Sequence, residues 1–133
     1  MKYQIELTQK QLLVAREALD FYCSFLLGKW EIPKIMQHQE FINNKRDNAV
    51  WDRRNMASDL LRYSKAIFIP ELPGHAHYAL ANDKAHEDSV IAYDIYRPMM
   101  EVTADKSEHS VYNYSSGAYS KEGRIEIKII NTE

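Results

Sequence analysis

The stretch PGHAHYALANDKAHED, from Pro73 to Asp88, holds three of the chain's five histidines. His75 and His77 form a His-x-His pair, and His86 and Asp88 follow closely. Zinc needs neutral imidazole or carboxylate ligands converging on four corners. In extended backbone a His-x-His pair puts both rings on one face, a sound start for such a site, with His86 or Asp88 to complete it. A closed tetrahedron also needs a matched second half, such as paired cysteines or H-E-x-x-H. Neither is present, and His38 and His109 are remote in sequence. The expectation is a hydrogen-bonded loop with no structural zinc, and no metal or cofactor is assigned.

Other reactive residues offer less. Cys23 falls on the apolar side of a helical pattern, where a thiol behaves as a small inert hydrophobe. There is no G-x-S-x-G elbow, and the four glycines form no phosphate-cradling loop. Asp20, Glu31 and Glu40 could pair as acid and base, but their pattern reads as exposed carboxylates. No catalytic residue is assigned. The nine tyrosines are more suggestive. Tyr93 and Tyr96 share a helical stretch, and Tyr112, Tyr114 and Tyr119 crowd the C-terminal part. Such rings pack cores and interfaces, and they also stack on bases. WDRRNMASDLLR adds Trp51, Arg53, Arg54 and Arg62. Arg54 lies nearest the expected inner face, a place where arginine meets a carboxylate or a phosphate.

The elements that position these groups follow from periodicity. KYQIELT alternates Tyr3, Ile5 and Leu7 against polar residues, the pattern of a half-buried strand. Thr8 with Gln11 forms a capping box that opens a helix over Gln9–Leu27, and Gly28 is placed to end it. Pro33 opens a short second helix running to Asn43–Asn44. Asp47 caps a third, whose inner face carries Val50, Trp51, Ala57, Leu60, Leu61, Ser64 and Phe68. IPELPGHAHYALAN is a loop. A fourth helix begins between Asn82 and Ser89, and Pro98 must kink or end it. SVYNYSS and RIEIKII then read as a hairpin, with Ile125, Ile127 and Ile129 on one side. The expected fold class is α+β: three or four helices on a small sheet made of the N-terminal strand and the C-terminal hairpin.

A chain of 133 residues suits a single domain spanning 1–133. Its 45% hydrophobic and 27% charged residues are ordinary for a globular protein. One cysteine, no leader pattern and no long apolar run point to the cytoplasm and away from membranes. A net charge of −2 argues against indiscriminate nucleic-acid binding. The charge is uneven: residues 29–62 hold seven Lys/Arg and five Asp/Glu, residues 82–109 three and seven. That asymmetry, with abundant Tyr, Met and Trp, predicts a homo-oligomer.

Two stretches together, ELTQKQLLVAREALDFYCSFLLGKWE and LPGHAHYALANDKAHEDSVIAYDIYR, resemble a group of small proteins encoded by tailed bacteriophages. The resemblance covers about half the chain, and Pro98 departs from it by falling where the helix should continue. It implies an anti-defence protein, a sponge that sequesters a nucleotide-derived immune signal, of ADP-ribose or cyclic-dinucleotide type, without cleaving it. On that basis Trp30, Arg54, His77, Tyr78, Tyr93 and Arg97 are the expected ligand contacts: aromatic faces for a base, arginines for phosphate. Two other roles compete. A phage protein that binds a host protein directly predicts an exposed apolar patch. A metal-assisted hydrolase would use the His75/His77/His86 group.

Overall fold

Thr8 and Gln11 start the first helix as the sequence requires. The Thr8 N–H donates to Gln11 Oε1 at 2.8 Å, and the Gln11 N–H donates to Thr8 Oγ1 at 3.2 Å. The structure, a computed structural model, describes residues 1–30, 48–104 and 117–130, without the side chains of residues 48–52 and Arg54. It contains α1 (Gln9–Leu26), α2 (Asn48–Phe68) and α3 (Glu87–Thr103). The expected short helix after Pro33, the Asp47 cap and the SVYNYSS strand lie outside the described residues. Among the described residues no helix is long and apolar enough to cross a membrane.

The α+β expectation is overturned: among the described residues there are three helices and no strand. Alternation is a local pattern, whereas a strand exists only through ladder bonds to a partner elsewhere in the chain. Tyr3, Ile5 and Leu7 are exposed, as are Ile125 and Ile129. At the head of the C-terminal segment the amides of Tyr119 and Ser120 donate to the Asp94 carboxylate instead of to a neighbouring strand.

The chain divides into two compact units, Met1–Cys23 with His86–Glu133, and Ser24–Ala85. In the first, Arg16 Nη1 donates to Thr103 Oγ1 at 2.8 Å and the Tyr22 hydroxyl donates to Asp88 Oδ2 at 3.2 Å. These contacts join the middle of α1 to the end of α3, and the later turns of α1 to the start of α3. The bond to Asp88, then partial desolvation and that carboxylate's charge, raise the Tyr22 phenol above its ordinary value of 10.0. His86 caps α3: its Nδ1 accepts the Asp88 N–H at 3.1 Å. Glu87 and Asp88 in the first turn suit the positive end of the helix. The helix runs on through Pro98 to Thr103, although that residue has no N–H for the carbonyl of Asp94. Cys23, Ala92, Pro98, Met99 and Met100 supply this unit's buried apolar side chains.

In the second unit the end of α1 is a Schellman motif. The Gly28 N–H donates to Phe25 O at 3.1 Å and the Lys29 N–H to Ser24 O at 2.9 Å. Gly28 has φ +86°, a conformation that favours glycine. The loop after α2 is a series of tight turns: Leu72 N–H to Ile69 O, Ala76 N–H to Pro73 O and Asn82 N–H to Ala79 O. The Tyr78 N–H ties it to Leu27 O at 2.9 Å. Leu27 and Leu72 are the buried large apolar side chains described in this unit.

Candidate functional site

α2 encloses a charged side chain on the side that an amphipathic helix normally keeps apolar, beside half-buried Ala57, Leu61 and Ser64. Its covered side carries Lys65, which is only 2% exposed. A buried ammonium is costly unless its protons are bonded. Lys65 Nζ donates to the carbonyl of Gly74 at 3.0 Å and to that of Ala76. Gly28 makes room for this arrangement. A Cβ there would sit 3.7 Å from Lys65 Cε and 2.6 Å from Leu72 Cδ1.

The outer side carries Met56, Leu60, Tyr63 and Ile67, which are 64%, 65%, 72% and 77% exposed. Spacings of four, three and four residues put them on one stripe, the a and d positions of a heptad. Phe68, also exposed, sits about 100° round the helix from Ile67, beside an aromatic cluster. Its ring lies 6.1 Å from Trp30, which in turn stacks on Phe25 at 4.9 Å with the planes 9° apart. Trp30 Nε1 donates to Phe25 O at 3.0 Å, fixing the indole. Leu60 and Phe68, expected on the inner face, are therefore outside. The pattern announces an apolar stripe but does not say what covers it. The seam at 56, 60, 63 and 67 was readable in the sequence as heptad spacing.

Of the expected ligand contacts, Trp30, Arg54, His77 and Tyr78 belong to the Ser24–Ala85 unit, and Tyr93 and Arg97 to the other. The Arg54 side chain lies outside the described set. His77 is exposed, with Nδ1 3.4 Å from the carbonyl oxygen of His75. The Tyr78 hydroxyl donates to Glu71 Oε1 at 3.0 Å. Partial desolvation, then that bond and the carboxylate's charge, raise its phenol above 10.0. Tyr93 meets Tyr119 edge-on at 5.3 Å and lies 6.1 Å from Tyr96. Arg97 is buried, with Nε 3.2 Å from Glu101 Oε1. Arg124 Nη2 takes the other oxygen of Glu101 at 2.7 Å.

Sequence reasoning missed Asp94. Its buried carboxylate accepts the Tyr119 N–H at 2.9 Å, the Ser120 N–H at 2.6 Å and the Ser120 hydroxyl at 2.5 Å. The signal was the alternation of sign at Asp94, Arg97 and Glu101, which share one face of the helix. Among the described residues no three His, Cys, Asp or Glu side chains lie close enough to hold a metal ion. The lone pair on His86 Nδ1 is already engaged by the helix cap. No protein-family model, curated protein or solved structure matches the chain.

Proposed function

We propose that this protein is a non-catalytic binding protein that recognises a protein surface through the outer face of α2. One observation supports it above the rest: α2 turns Lys65 inward and leaves Met56, Leu60, Tyr63 and Ile67 in water. A continuous apolar strip of that size is uncommon on a chain that works alone. A flat helical stripe also suits another helix better than it suits a small polar ligand. The test places a photoreactive residue at 60 or 63 in the intact chain, within the cell that makes it, with position 83 as a control. Discrete cross-linked protein bands from 60 and 63, absent from 83, are expected. Cross-linking that is the same at all three positions would remove the proposal.

The Phe25–Trp30–Phe68 cluster favours a second reading, reversible capture of a nucleotide-derived signal by stacking. Aromatic platforms hold bases at about 1–3 kcal/mol each. Calorimetry with cyclic dinucleotides and ADP-ribose derivatives tests it, with Trp30→Ala expected to weaken any binding about tenfold.

A further inference from the structure

Two protein occupants compete for the α2 stripe, a foreign protein and a second copy of this chain. We infer that the occupant is a second copy, its own α2 packed antiparallel about a two-fold axis. The inference rests on reading α2 as a protein-docking face.

The spacing carries it. Met56, Leu60, Tyr63 and Ile67 are separated by four, three and four residues, a series that reads the same in both directions. A two-fold axis between positions 61 and 62 therefore lays the stripe on its own copy. Met56 meets Ile67 of the second copy, and Leu60 meets its Tyr63. Every exposed seam residue gains an apolar counterpart, as an isologous interface requires. The flanks permit the approach. Ala57, Ser64 and Ala66 are small, and Asp59 and Arg62 neutralise each other within one helix.

The area is also sufficient. Taking about 200 Å² for a whole large side chain, the exposed parts of Met56, Leu60, Tyr63 and Ile67 come to about 550 Å² per chain. Two copies would together bury about 1,100 Å², past the roughly 1,000 Å² that a specific interface should clear. The described apolar core of the same unit is small, Leu27 and Leu72, so covering the stripe would add greatly to its buried surface.

The experiment uses the full chain. Sedimentation should give a dimer at tens of micromolar. Leu60→Asp should raise the dimer dissociation constant at least about tenfold, while Val14→Asp, at an exposed apolar site on α1, should leave it unchanged. Thiol pairing fixes the direction, since buried Cys23 leaves an added surface thiol as the accessible one. Chains carrying Met56→Cys, mixed with chains carrying Ile67→Cys, should form disulfide-linked dimers, and neither should do so alone. If each variant cross-links alone and the mixture adds nothing, the antiparallel pairing is wrong. A strict monomer at hundreds of micromolar overturns the inference altogether. If that monomer still shows discrete photo-cross-links from residue 60 to a different protein, the docking face stands and only its occupant changes.

Discussion

Lys65 and Leu60 lie five residues apart on α2 with their burial reversed: the ammonium is enclosed and the leucine faces water. The cause lies outside the helix. The carbonyls of Gly74 and Ala76 converge on Nζ, and a cation that bonds two backbone oxygens tolerates burial that a bare one would not. Lys65, with half-buried Leu61, thus marks the covered side of α2, and the exposed stripe lies on the other.

Lys65→Met tests that relation. Methionine keeps the length of the stem but gives no donor to either carbonyl. Charged hydrogen bonds contribute about 1.5–3 kcal/mol, and the better burial of the thioether offsets part of that. A stability loss of about 1–3 kcal/mol in urea unfolding is expected, with faster proteolysis between Leu72 and Tyr78. Unchanged stability together with an unchanged cleavage rate would mean that the lysine does not anchor the loop.

Asp94→Asn should release the C-terminal segment. One carboxylate oxygen becomes an NH₂ that faces an N–H donor, so the three bonds to Tyr119 and Ser120 cannot all survive. Loss of charge-assisted bonds at a buried site costs about 2–4 kcal/mol. Hydrogen exchange at the Tyr119 and Ser120 amides should accelerate at least about tenfold, ahead of the amides within α3. Protection retained at those two amides would show that another group holds the segment.

Local chemistry was legible in the sequence and distant chemistry was not. The capping box at Thr8 and Gln11 and the stop at Gly28 involve residues within a turn of each other, so residue type and spacing settle them. The loop around Pro73 and Gly74 follows for the same reason. The strands failed because Tyr3, Ile5 and Leu7 specify an alternation without specifying a partner. The inner face of α2 was legible in part: Ala57, Leu61 and Ser64 are half-buried as expected, whereas Leu60 and Phe68 are exposed. Leu60 belongs to an apolar stripe, but the carbonyls that hold Lys65 on the covered side lie nine and eleven residues beyond it. Asp94 looked like one charge among several acidic residues, because its partners lie 25 and 26 residues away.

Gly28→Ala and Gly74→Ala should separate backbone strain from steric conflict. Both glycines have positive φ, +86° and +60°. An L side chain in that region costs about 1–2 kcal/mol. At Gly74 a Cβ meets nothing within 4 Å, so only that strain applies. At Gly28 it would lie 2.6 Å from Leu72 Cδ1, and buried Leu72 must move. Gly28→Ala should therefore be the worse of the two, by about 1–3 kcal/mol. Equal losses by thermal unfolding would show that Leu72 yields freely.

The Tyr78 phenol supplies a test that follows pH. Its hydroxyl donates to Glu71, and ionisation both ends that donation and sets a phenolate beside a carboxylate. The folded-state pKa is thus raised above the unfolded value of 10.0. The sign follows directly: below the unfolded pKa the phenol is protonated in both states and the contribution is complete. As pH climbs, the unfolded chain releases its proton first, so stability falls through the interval up to the raised folded value. Difference absorbance of the native chain should show a tyrosine titrating later than free phenol, and Tyr78→Phe should remove that late component. Glu71→Gln retains an acceptor but deletes the charge, so it should bring the titration part of the way back toward 10.0. The late component persisting unchanged in Glu71→Gln would assign the shift to desolvation and the hydrogen bond, with no part from the carboxylate's charge. The late component persisting in Tyr78→Phe would assign it to another tyrosine, with Tyr22 beside Asp88 the first to examine.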